Sequence, residues 1–112
     1  MSVSPDSSAP IQAALEVLWI KFLPQIEERL AVLEAAAAEL SAGTLTPGHS
    51  RQAHEAAHKL AGVLGTFGLT KGTVLAREAE LLYIPDDLPD AEQAPQLTQI
   101  AAQIRAMIDR VK

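Results

Sequence analysis

At 112 residues, 48% hydrophobic and 21% charged, with only 7 Pro and 6 Gly, the chain has the composition of one small globular domain. That excludes a disordered tail, a collagenous repeat and a multidomain enzyme. Cysteine is absent, which removes disulfides, thiolate metal sites and cysteine nucleophiles, and the net charge of −5 argues against a general nucleic-acid or anionic-membrane binder.

Alanine and leucine far outnumber the aromatics Trp19, Phe22, Phe67 and Tyr83, a profile that favours helices over sheets. No uncharged apolar stretch approaches the roughly 18 residues that a membrane-spanning helix needs, and the polar N-terminus has no basic region of a signal peptide. A soluble, cytoplasmic protein is expected, without membrane or nucleic-acid partners. Residues 1–9 are rich in Ser and Pro and read as a disordered leader, with a helical bundle over residues 10–112.

Pro10 suits the first position of a helix. From there Leu15, Leu18, Phe22, Ile26, Leu30, Leu33, Ala37 and Leu40 step by threes and fours, a stripe along one helical face. Pro24 interrupts the stripe, so the pattern predicts a short first helix meeting a longer second one, or a single kinked helix. Trp19 is expected to cover one end of the bundle. Gly43 suits a left-handed C-cap, and Thr46-Pro47 reads as N-cap and first residue of the next helix.

That helix carries Ala53, Ala56, Ala57, Leu60, Val63 and Leu64 and should stop near Gly68, a structural turn. Thr70 can cap a further helix with Val74, Leu75, Ala79 and Leu82 inward, ending before the turn-rich stretch 84–89. A last helix from about Pro95 should bury Leu97, Ile100, Ile104, Ile108 and Val111. With no alternating strand pattern and short links, the expected fold is all-α, an antiparallel up-and-down four-helix bundle with a short or kinked N-terminal helix.

On the helix that follows Pro47, about 100° per residue places His58 roughly 160° from Leu60, and so on the solvent face. His49 falls inside the apolar arc and is expected to be an ordinary hydrogen-bonded core histidine. Gly62 and Gly65 lie one and two turns beyond His58, and Arg51, His54 and Glu55 lie before it. Two glycines inside a helix are unfavourable unless something approaches closely, either a packed neighbouring helix or a docking partner. Residues 49–77 hold Arg51, Lys59, Lys71 and Arg77 against the single carboxylate of Glu55, a basic collar on an otherwise acidic chain that suits a transient phosphate.

The string His54-Glu55-Ala56-Ala57-His58 also matches the zinc-protease pattern H-E-x-x-H, with Glu78 as a third ligand by spacing. Yet a protease needs a walled cleft, and this helical chain has little length to build one.

A longer match covers the same segment. Ala57-His-Lys-Leu-Ala-Gly-Val-Leu-Gly-Thr-Phe-Gly-Leu69, followed by a helix with Leu75 and Ala-Arg-Glu-Ala-Glu80, resembles the histidine-containing phosphotransfer (HPt) family. His58, Leu60, Gly62 and Gly68 fall on the family's pattern in order. The Leu64–Gly68 stretch is also similar to the histidine-bearing domain of chemotaxis kinases. Many family members carry Lys three residues after the His, where this chain has Ala61; Lys59 or Lys71 is the expected substitute in holding the phosphoryl group.

The resemblance implies a phosphorelay intermediate without an ATP site of its own. His58 would take a phosphoryl group from a receiver-domain aspartate and pass it to another receiver, with Arg51, His54, Glu55, Gly62 and Gly65 on the docking face. Glu55 is a candidate for orienting the ring. No cofactor is expected on the chain itself; Mg²⁺ would sit on the receiver. Response-regulator receivers and a hybrid histidine kinase are the implied partners, and the chain is expected to be a monomer. The competing readings are a helical docking module that is never phosphorylated and, from the shorter motif, a zinc site.

Overall fold

The computed structural model describes residues 5–85 and 87–111, with side chains from Ala13 onward. Among these residues there are four α-helices and no strand: α1 (Pro5–Ala42), α2 (Pro47–Thr66), α3 (Thr70–Leu82) and α4 (Ala94–Val111), the last preceded by a 3-10 turn at Ala91–Gln93. Each helix packs against its neighbours in sequence and α4 closes against α1, which makes the expected up-and-down bundle. No helix among the described residues is long and apolar enough to cross a membrane.

Local chemistry sets the ends. Thr46 Oγ1 accepts the His49 N–H at 3.1 Å and Pro47 opens α2. Gly43 and Gly68 take φ of +76° and +74°. Each closes its helix with a paired backbone motif: Thr44 and Gly43 donate to Glu39 and Leu40, and Leu69 and Gly68 donate to Leu64 and Gly65. After the second motif α3 begins one residue earlier than the capping pattern suggested. Thr70 is its first residue, and the N-cap position falls on Leu69 without a side-chain bond.

α1 is one continuous helix of 38 residues through Pro24, so no separate short helix precedes it. Proline removes the bond to the carbonyl of Ile20, and both residues are exposed, so that carbonyl lies on the solvent side where water can satisfy it. The helix begins at Pro5, inside the span read as a leader; residues 1–4 lie outside the described residues.

The core is built from α1 residues Ile26, Leu30, Leu33 and Leu40, α2 residues Leu60 and Leu64, Tyr83 beyond α3, and Leu97, Ile100, Ile104 and Ile108 of α4. Alanines at 36, 37, 53, 56, 57, 61, 76, 79, 94 and 101 are also buried and let the helices approach closely. At roughly 1.5–3 kcal/mol for each large aliphatic side chain, this burial is the main favourable term.

Four apolar residues expected inward are exposed. Leu15 and Leu18 lie on the part of α1 where Trp19 is instead the buried residue, packed edge-on against Phe67 at 5.2 Å. Val74 sits about 100° around α3 from Leu75, outside the arc that meets α2 and α4, and Val111 is the last residue of α4.

Candidate functional site

The α2–α3 hairpin is held unusually close. A Cβ on buried Gly72 would stand 3.0 Å from Leu64 Cδ1, and Thr73 Oγ1 donates across the seam to the Ala61 carbonyl at 3.1 Å. At this spacing a histidine on one helix reaches a carboxylate on the other. His58 Nδ1 lies 2.7 Å from Glu80 Oε2, with the imidazole 66% exposed and the Glu80 side chain 18% exposed.

A carboxylate only accepts, so Nδ1 carries the proton, and in the neutral ring Nε2 is the nitrogen with the free lone pair. Glu80 Oε1 has a second neighbour, Arg77 Nη1 at 4.0 Å, one turn earlier on α3. The resulting arrangement is a solvent-facing imidazole with a fixed tautomer, backed by an acid that is itself flanked by a cation.

The other candidate residues are dispersed around this centre. Gly62 has open space where its Cβ would be, with nothing within 4 Å, so no neighbouring helix demands a glycine there. Gly65 differs, since a Cβ would come within 3.3 Å of Thr73 Oγ1; it serves the packing of α3. Glu55 and Lys59 line a groove with Gln25, Glu28 and Arg29 of α1, on the flank of α2 opposite Glu80. Glu80, not Glu55, orients the His58 ring. Lys71 lies nine residues before Glu80 on α3, roughly 13 Å of axial rise away toward the hairpin turn.

Arg51 and His54, expected on the docking face, are engaged with the chain leaving α3. His54 Nδ1 donates to the carbonyls of Glu80 and Tyr83 at 2.9 and 2.8 Å, capping the end of α3. Arg51 Nε donates to Pro85 O at 3.3 Å, and buried Ser50 donates to Ile84 O at 3.2 Å. One face of α2 thereby clamps residues 80–85.

In the H-E-x-x-H string both imidazoles use Nδ1 toward α3 while Glu55 faces the α1 groove. Among the described residues no three His, Asp or Glu side chains converge as a metal site would require. His49 corrects an expectation. It is exposed rather than buried, because the inward position of the first turn of α2 is taken by its neighbour Ser50, and its Nδ1 pairs with Glu39 Oε2 at 3.0 Å.

The sequence reading missed Glu80 and did not single out Arg77. The available signal was their i, i+3 spacing on one helix, which says nothing of a histidine 22 positions away until the register of α2 against α3 is known.

Comparison with known proteins agrees with this architecture. The family model described as "Hpt domain" matches residues 17–112. Protein RcaC of Microchaete diplosiphon is 32% identical over 107 residues, which cover 96% of this chain but only 16% of that relative. No solved structure matches significantly. A family match across most of the chain, on a bundle that presents a histidine on its second helix, leads to one conclusion: the chain belongs to the Hpt domain family, whose members carry phosphoryl groups on histidine in phosphorelays and are not ATP-binding enzymes.

Proposed function

We propose that this chain accepts a phosphoryl group on His58 Nε2 from the aspartyl phosphate of a receiver domain and passes it to a second receiver. The observation that carries the reading is the exposed His58 with Nδ1 held at 2.7 Å by Glu80. In the step, the Nε2 lone pair attacks phosphorus in line, the Nε2–P bond forms, and the bond from phosphorus to the aspartate oxygen breaks with release of the carboxylate. The ring becomes cationic as it bonds phosphorus, and Glu80 offsets that charge through Nδ1–H.

Mg²⁺ belongs to the receiver, whose acidic pocket supplies it. The chain itself binds the partner, presents the nucleophile and holds its tautomer. Open Gly62 beside His58 leaves room for a receiver to approach the helix backbone.

Transfer from a labelled, Mg²⁺-loaded receiver to wild-type protein and to His58→Gln tests the assignment. Acid-labile label is expected on wild type alone; label surviving in His58→Gln would defeat it. No label from several well-phosphorylated receivers would favour the silent docking module.

A further inference from the structure

A phosphoryl group on His58 places about two negative charges beside the Glu80 carboxylate, and something must offset them. The cations expected from the sequence are poorly placed. Lys59 lies on the α1 flank with Glu28 and Glu55, and Lys71 is at the far end of the hairpin. Position 61 holds an alanine that is 1% exposed in the α2–α3 seam. Glu78 lines a groove with Leu75, Pro95 and Gln99 and so points toward α4.

Arg77 remains. Its guanidinium is 60% exposed and stands 4.0 Å from Glu80 Oε1, longer than the roughly 2.7–2.9 Å of a close charge-assisted hydrogen bond. His58 lies opposite Glu80; one turn toward the hairpin end brings α2 to Gly62 and α3 to Arg77, so the two share a level. Gly62 leaves that space empty.

Resting on the assignment of His58 as phosphoacceptor, we propose that Arg77 is the phosphate-holding cation of this site. It pairs with Glu80 while His58 is empty and turns across Gly62 to the phosphoryl oxygens once Nε2 carries them. The planar fork of a guanidinium suits two phosphoryl oxygens, and its exposure leaves the swing unobstructed. Through this one side chain α3 supplies the charge that the second helix lacks at position 61.

Phosphoramidate provides the test without a receiver, so docking contacts drop out. The P–N bond of the reagent breaks, ammonia leaves, and the Nε2–P bond forms. The ³¹P resonance of the loaded protein is then titrated across neutral pH for wild type, Arg77→Ala and Arg77→Lys.

A cation on the phosphoryl oxygens favours their fully ionised form, so the midpoint is expected to rise by about half to one pH unit in Arg77→Ala. It should return toward wild type in Arg77→Lys, and added salt should narrow the gap. A merely structural role for Arg77 would not move this midpoint. An unchanged midpoint in Arg77→Ala overturns the proposal, as does loss of loading in both variants, because a cation restored at the same place should restore the site. A wild-type protein that takes up no phosphate defeats the His58 assignment instead.

Discussion

Glu80 is the residue on which the site's chemistry depends, since a free imidazole would sample both tautomers and many rotamers. Substituting Glu80 with alanine removes a charge-assisted hydrogen bond worth roughly 1.5–3 kcal/mol, so phosphoryl loading of His58 should slow by about tenfold or more while the helical spectrum is unchanged. Glu80→Gln keeps an acceptor for Nδ1–H and should lose less. Stopped-time transfer assays on the two variants check this, and equal rates for alanine and wild type would remove Glu80 from the mechanism. His54 calls for a different assay: its bonds to the Glu80 and Tyr83 carbonyls cap α3, so His54→Ala should lower stability by about 1 kcal/mol in denaturant unfolding.

At the scale of elements, Gly62, Gly65 and Gly68 near the hairpin turn carry three separate demands. Gly68 needs positive φ to close α2, and an alanine there should cost roughly 1–2 kcal/mol. Gly65 meets Thr73, whose hydroxyl is already committed to the Ala61 carbonyl, so an added methyl must push against a bonded neighbour. Gly62 meets nothing, so Gly62→Ala should gain about 0.5–1 kcal/mol from helix propensity and raise Tm by a few degrees. The same substitution should slow transfer from a receiver and leave loading from phosphoramidate intact. Calorimetry and the two loading assays separate these effects; unchanged receiver transfer would show that Gly62 is not kept bare for docking.

Over the whole molecule, the bundle is closed by the packing of α4 on α1, where Arg105 bonds Glu34 at 2.9 Å and Glu27 at 3.3 Å. The Glu34 hydrogen bonds, ahead of the other neighbouring acids, hold the Arg105 pKa above its ordinary value. Tyr83, only 1% exposed, has no hydrogen-bond partner for its hydroxyl among the described residues. Burial, and secondarily the Glu39 carboxylate, pushes its pKa well above the ordinary tyrosine value. The folded chain therefore keeps this proton where the unfolded chain releases it, and stability should fall as pH rises above about 10, by roughly 1.4 kcal/mol per pH unit from this group. Tyr83→Phe should remove that part of the alkaline loss, and at neutral pH it should be neutral or slightly stabilising, because no hydrogen bond is lost. Urea unfolding of both proteins at neutral and alkaline pH tests the sign.

Helix content, the Thr46-Pro47 start of α2, the Gly43 and Gly68 caps and the outward direction of His58 were all legible in the sequence, because each depends on residues within a turn or two of one another. The resemblance around His58 pointed to the family for the same reason, since its residues lie on one continuous stretch. The partner of the His58 ring was not legible. Glu55 and Glu80 are both near His58 by some measure of sequence, and only the register of α2 against α3, set by the fit of Gly72 under Leu64 and of Gly65 beside Thr73, selects Glu80. That same register assigns Arg51 and His54 to the clamp on residues 80–85 and sends Lys59 to the opposite flank. Periodicity tells which side of a helix meets solvent; which neighbour stands across a seam depends on packing between segments far apart in the chain, and that is decided only when the helices meet.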